Sequence, residues 1–271
     1  MSGEFSESWL ALREAADHRS RSQWLATRLA LWCRERGTTR VLDLGCGTGS
    51  NLRYLAPRLG PQQRWRLLDV DGPLLAHAVT RVPEGIPLVA ECRDLGSLSA
   101  ADLAGTDVVT GSALLDLLDR SQLEGLVDAI RTRGCAALFA LSVNGRVRLS
   151  PRHDDDAAIA AAFNAHQCRT AGSRTLLGPQ AFAAATKLFR AAGHAVVAVA
   201  TPWRLAPADA ALASAWLDGW IDAAIEAQPA QRRSFELVHQ FHGDALREGR
   251  LQVDVGHVDL LALPPRSGGA G

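Results

Sequence analysis

Val41-Leu42-Asp43-Leu44-Gly45-Cys46-Gly47-Thr48-Gly49-Ser50-Asn51 is the stretch on which the reading of this chain turns. An apolar run of strand length ends in three alternate glycines, and a helical pattern over Ser50–Leu59 starts at once and stops at Gly60-Pro61. Alternate glycines let the backbone turn tightly and approach a ligand with no Cβ in the way. The helix start adds unpaired N–H groups and the positive end of a peptide dipole. The spacing is GxGxGS, not the GxGxxG of dinucleotide loops, and Asp43 stands just before the turn. A carboxylate there repels a pyrophosphate and suits a cation.

On either side the pattern alternates. Trp65–Leu68, Pro87–Glu91, Asp107–Thr110 and Ala136–Leu141 read as strands, with helices over Pro73–Thr80 and Gln122–Arg131. Strands and helices in this rhythm predict a parallel sheet covered on both faces. Upstream, residues 7–36 read as helix, with Trp9, Leu10, Leu12, Trp24, Leu25, Leu29 and Trp32 at helical spacing and Gly37 as C-cap. Beyond Ser142 the rhythm breaks into a polar excursion over 143–178, which holds Asp154-Asp155-Asp156 and a short helix around Ala157–Cys168. It resumes with helix Pro179–Ala192, strand Ala195–Ala200, helices over Pro207–Ala227 and Gln231–Arg247, and strand Gln252–Leu263. The tail Pro264–Gly271 reads as disordered.

Composition narrows the function. Lys plus Arg and Asp plus Glu both number 29 in 271 residues, so the chain lacks the cationic excess that neutralises phosphates, and no nucleic-acid partner is expected. The cysteines (Cys33, Cys46, Cys92, Cys135, Cys168) are scattered, with no metal-ligand spacing, so reduced thiols and no metal site are expected. The polar N-terminus and the lack of a long apolar run point to no membrane partner and a cytoplasmic location.

An acidic residue, Asp43, followed by Gly45-x-Gly47-x-Gly49 resembles the first motif of the class I S-adenosylmethionine-dependent methyltransferases. The resemblance covers about residues 38–142 and continues plausibly to the last strand. It implies a Rossmann-like α/β fold: a doubly wound, mostly parallel sheet of seven strands with the last antiparallel. It implies one methyltransferase domain over 1–266, with a helical cap at 1–37, a substrate-lid insertion at 143–178 and a disordered tail at 267–271. The implied cofactor is S-adenosylmethionine, leaving S-adenosylhomocysteine as product. Its loop contacts would come from Asp43, Gly45, Cys46, Gly47, Gly49 and Asn51. Asp69, ending the second strand, would hold both ribose hydroxyls, beside Val70. Asp71 competes for that role but precedes Pro73 and reads as a helix N-cap. Asp94 and Leu95 would meet the adenine, the Ser112 carbonyl the cofactor's amino group, and Arg13 its carboxylate.

The acceptor side is less sharply written. Asp116 follows the fourth strand where relatives often carry a His, which makes it the candidate base or substrate anchor, or else a surface-turn cap. His166 can act as a base near neutral pH or be structural. Asn164 and Gln167 are candidates for orienting substrate. Trp216 shares a helix face with Trp220 and Leu212, and it and Trp203 are either core or an aromatic wall for substrate. His257 reads as structural and Asp154–Asp156 as an exposed capping cluster. The expected activity is methyl transfer to an O, N or C atom of a small-molecule metabolite. A macromolecular acceptor and a cofactor-binding module without turnover are the alternatives.

Overall fold

Ser20-Arg21-Ser22 breaks what the sequence pattern reads as one helix. The computed structural model describes residues 6–37 and 39–265. In it α1 (Glu7–Ser20) and α2 (Gln23–Arg34) are separated by two extended residues, because the Ser22 hydroxyl accepts the Leu25 N–H at 3.2 Å and caps the second helix instead of continuing the first.

The chain then lays down β1 (Thr39–Leu44), α3 (Ser50–Leu59), β2 (Gln63–Asp69), α4 (Gly72–Thr80), β3 (Leu88–Cys92), β4 (Val108–Ser112), α5 (Arg120–Arg133) and β5 (Ala136–Ser150). After it come α6 (Asp156–Gln167), a small hairpin of β6 (Thr170–Ala171) and β7 (Arg174–Thr175), α7 (Ala181–Ala191), β8 (Ala195–Ala200) and β9 (Trp203–Leu205). Two helices, α8 (Ala210–Ala227) and α9 (Arg232–Arg247), precede β10 (Gln252–Leu263). The sheet order is β3-β2-β1-β4-β5-β10-β8. β10 runs antiparallel to its neighbours, while the pairs among β1 to β5 are parallel. The doubly wound, mostly parallel α/β sheet with an antiparallel last strand is therefore as expected, and β9 adds one short strand beside β10. Strand order reverses between β1 and β4, which opens a crevice at their carboxyl ends, where the glycine loop leaves β1.

The expected excursion from residue 143 is corrected. β5 continues to Ser150 and pairs with β10 along that length, from Gln252↔Ser150 to Ala262↔Ala137. Past Ser142 only one face is covered: Val147 and Leu149 pack inward while Arg146 and Arg148 stay exposed, so the stretch looks polar while keeping the period of a strand. The insertion that sequence placed at 143–178 thus begins, as irregular chain, only after Ser150. The expected tail at 267–271 lies outside the described residues.

Three apolar clusters hold these layers. One packs α5 and α7 on the sheet through Phe139 and Phe189, and another packs α2 and α3 on the opposite face through Leu25, Leu55 and Trp65. The third lies under the β5–β10–β9 extension, where α6, α8 and α9 bury Trp216, Trp220 and Phe235. Asp259 of β10 ties the first pieces together. Its Oδ2 accepts the Ser22 N–H at 2.9 Å, and its Oδ1 accepts the Leu141 N–H at 2.8 Å and the Thr201 hydroxyl at 3.0 Å. Asp259→Ala would leave these buried donors unpaired and should lower stability by about 3 kcal/mol in urea unfolding.

Candidate active site

Each glycine of the loop has positive φ (58°, 51° and 80° at Gly45, Gly47 and Gly49). Each is also tightly bounded. A Cβ on Gly45 would stand 2.9 Å from Leu114 Cδ1, one on Gly47 3.1 Å from Leu10 Cδ1, and one on Gly49 3.2 Å from Ala78 Cβ. The loop is braced against β2: the Cys46 N–H donates to the Leu68 carbonyl at 3.2 Å, and the Gly47 N–H donates to Asp69 Oδ2 at 2.7 Å. Asp69 Oδ1 accepts the Asp71 N–H at 2.9 Å, and Asp71 caps α4 through the Leu74 N–H at 2.9 Å, the part expected of it. Val70 is exposed beside them. Cys46 is buried with its thiol pushed far up by desolvation, so it packs the loop and does not ionise. Across the crevice Asp94 caps a short helical turn through the Gly96 N–H at 2.9 Å, and Leu95 approaches Gly45.

Beneath the loop lies a buried polar chain. The Arg21 guanidinium donates to Asn51 Oδ1 at 2.5 Å, and Asn51 Nδ2 donates to Asp43 Oδ1 at 2.5 Å and to the Thr110 hydroxyl oxygen at 3.1 Å. Thr110 in turn donates to the Leu138 carbonyl at 2.7 Å. Asp43 Oδ2 has no partner among the described residues, and burial pushes the carboxyl up to about 7, Asn51 and Arg21 pulling back against it. Asn51 therefore sits inside this chain beneath the loop.

α1 roofs the loop. Leu10 covers Gly47, Glu14 forms a two-pronged ion pair with Arg53 at 2.8 and 2.6 Å, and His18 Nε2 lies 3.1 Å from both the carbonyl and the hydroxyl of Ser50. Arg13 is buried here but already engaged: its Nε donates to Asp17 Oδ2 at 2.8 Å, and its guanidinium lies 4.9 Å from the Trp203 ring. Trp203 donates its indole N–H to Asp17 Oδ1 at 2.9 Å and packs against His257 at 5.2 Å. Burial and the nearby Arg13 push His257 down to about 3, so it is a neutral packing residue, as its sequence context suggests.

On the acceptor side, β4 ends at Ser112 and the chain passes through Ala113 at φ 51°, a left-handed conformation costly for a residue with a Cβ. This turn drives Leu114 against Gly45 and Gly111 and brings Asp116 in behind it. Asp116 Oδ1 is buried with no partner among the described residues, and desolvation raises its pKa while its own backbone N–H and Arg13 pull the other way. It does not cap a surface turn. From α6, Asn164 donates to the Gly145 carbonyl at 2.9 Å, and its Oδ1 and the Oε1 of Gln167 are also buried with no partner among the described residues. His166 is instead drawn to α8, with Nε2 3.0 Å from Glu226 Oε2, so it is not brought to the loop. Trp216 stacks on Trp220 at 5.3 Å inside the third cluster, which leaves Trp203 as the member of the expected wall that adjoins the site. Asp155 and Asp156 are not an exposed cap. They hold α6 to α9 through Ser234 at 2.9 Å and the buried His242 at 2.7 Å.

Residues 41–133 match the family model described as a methyltransferase domain. This stretch, which holds the glycine loop, Asp69, Asp94 and Asp116, is a methyltransferase domain, and the chain is an enzyme whose methyl donor is S-adenosylmethionine. No curated protein matches it by sequence. Solved structures with similarity include a methyltransferase from Geobacter sulfurreducens in complex with S-adenosylhomocysteine, at 15% identity over 96% of this chain and 98% of that one, with a TM-score of 0.48. Another is a cyclopropane synthase from Mycobacterium tuberculosis, at 12% identity over 95% and 94%, with a TM-score of 0.49.

The buried Asp43 makes a prediction. Below about pH 4 its carboxyl is protonated folded or unfolded, but as pH rises the unfolded chain ionises first, so the carboxyl subtracts stability increasingly up to about pH 7 and fully above it. Asp43→Asn, nearly isosteric and uncharged, should gain on the wild type by about 2 kcal/mol between about pH 5 and about pH 8. Unfolding curves at the two pH values measure this, and an unchanged difference would contradict it.

Proposed function

We propose that this enzyme methylates a nucleophilic O, N or C atom of a small molecule, with Asp116 taking up the acceptor's proton. The observation that carries the reading is the buried Asp116 Oδ1, which has no partner among the described residues and lies just beyond β4 within reach of Arg13's charge. A raised carboxyl is a stronger base near neutral pH, and an unpartnered oxygen is free to accept an N–H or O–H. The α1 roof over the loop supports a small acceptor, since a macromolecule would have to displace it.

The residues present suit S-adenosylmethionine. The three glycines hold a tight turn with no room for a Cβ, Asp69 presents a carboxylate beside it, and Asp43 Oδ2 is an open acceptor for a cationic ammonium. Gly45, Cys46, Gly47, Gly49, Asp69, Val70, Asp94, Leu95 and the Ser112 backbone are proposed to line the cofactor, with Asn51 acting through Asp43. Asn164, Gln167 and Trp203 are proposed for substrate. Arg13 is proposed for the cofactor's carboxylate through Nη1, which its two bonds to Asp17 do not use. When bound, the cofactor supplies an electrophilic methyl group on a sulfonium; the protein's work is alignment, water exclusion and proton uptake. About 10 Å³ is open between Leu44, Leu95, Leu98 and Leu114, room for roughly one water, so a larger group entering there must displace Leu114.

The test is transfer of labelled methyl from S-adenosylmethionine to a panel of amine, phenol and carboxylate metabolites. Asp116→Asn should lower kcat on the best acceptor by roughly a hundredfold or more while changing cofactor affinity little. An equal loss in affinity and no loss in kcat would remove Asp116 from the chemistry.

A further inference from the structure

Arg21 stands at the break between α1 and α2, yet its side chain reaches under the glycine loop. It is buried, lies 4.2 Å from the Tyr54 ring, and is flanked by Ser22, whose N–H is fixed by Asp259. Its partner Asn51 is an amide, a group that can be turned either way. A guanidinium has no acceptor, so contact with Arg21 fixes which end of Asn51 is oxygen. The Asn51 amide N–H groups must then point at Asp43 Oδ1 and Thr110, and Thr110 can receive one because its own proton goes to the Leu138 carbonyl. Every link runs in one direction, and it ends on a carboxylate with one oxygen occupied and the other, Oδ2, free.

We infer that Arg21 is a positioning residue for cofactor binding: through Asn51 it orients the Asp43 carboxylate that receives the cofactor's ammonium. This rests on the cofactor assignment above. Since Arg21 also stands in the break between α1 and α2, seating of the roof and readiness of Asp43 are coupled. A roof that swings away draws Arg21 from Asn51, and Asp43 then loses both its oriented donor and the nearest positive charge beneath it.

The experiment compares two ligands by calorimetry. S-adenosylhomocysteine carries the ammonium, and methylthioadenosine shares the nucleoside but lacks the amino-acid portion. Arg21→Met should weaken S-adenosylhomocysteine roughly ten- to a hundredfold and leave methylthioadenosine within about threefold of wild type. Asp43→Asn should show the same discrimination, and the double variant should lose little more than either single one, as expected of groups acting in one chain. If Arg21→Met weakens both ligands alike, or neither, the inference is overturned and Arg21 is only a packing residue. A wild-type protein that binds neither ligand overturns the cofactor assignment itself. Tyr54→Phe, which removes a buried hydroxyl outside the chain of bonds, serves as the folding control and should leave both affinities unchanged.

Discussion

A carboxylate buried under a glycine turn is the constraint around which this molecule is arranged. Asp43 lies in the last turn of β1 with no solvent exposure, where an ionised group is costly to keep. What holds it is distributed over the fold: Asn51 from the first turn of α3, Thr110 from β4 and, through Asn51, Arg21 from the joint between the two N-terminal helices. These are the elements that meet at the reversal of strand order, so the bonds that satisfy Asp43 also fix how the sheet, the loop and the roof stand relative to one another. The fold thus retains a destabilising charge at the place where a cationic ligand would offset it.

The roof and the floor of the site share a second buried carboxylate. Asp17 of α1 binds both Arg13 and the Trp203 indole, which docks α1 on β9 and so on the β5–β10 extension. That extension rises beyond the carboxyl ends of the parallel strands and carries the third apolar cluster beneath it. The acceptor side is therefore built on rigid strands and a packed helical layer, with α6 tied to α9 through Asp155 and Asp156.

Much of this was legible in the sequence because it depends on local pattern. The run from Val41 to Asn51 specifies strand, turn and helix through apolar length, alternate glycines and the helix that follows, and Asp71 before Gly72-Pro73 reads directly as a cap. The remainder depends on contacts between distant segments. Arg21, Asp17 and Asp259 look like ordinary charges on helices and a strand, and nothing in their neighbourhoods signals partners 30, 186 or 237 residues away. A cue existed for the β5 extension, where Arg146-Val147-Arg148-Leu149 alternates with period two, but the exposed arginines masked it. His166 was attractive for its chemistry alone, and its position on α6 turns it to Glu226 instead. Local patterns therefore revealed the glycine loop and its helix, whereas the surroundings of Asp116 are assembled from tertiary contacts.

The account stands or falls on whether the glycine loop and Asp69 together hold S-adenosylmethionine, and the most direct measurement is calorimetric titration of the purified chain with S-adenosylhomocysteine, beside Asp69→Ala. The account predicts one site per chain with affinity on the order of micromolar, weakened by roughly a hundredfold or more when the Asp69 carboxylate is removed. A folded wild-type protein that releases no heat and shows no thermal stabilisation with the ligand would contradict it. So would an Asp69→Ala variant that binds as tightly as the wild type.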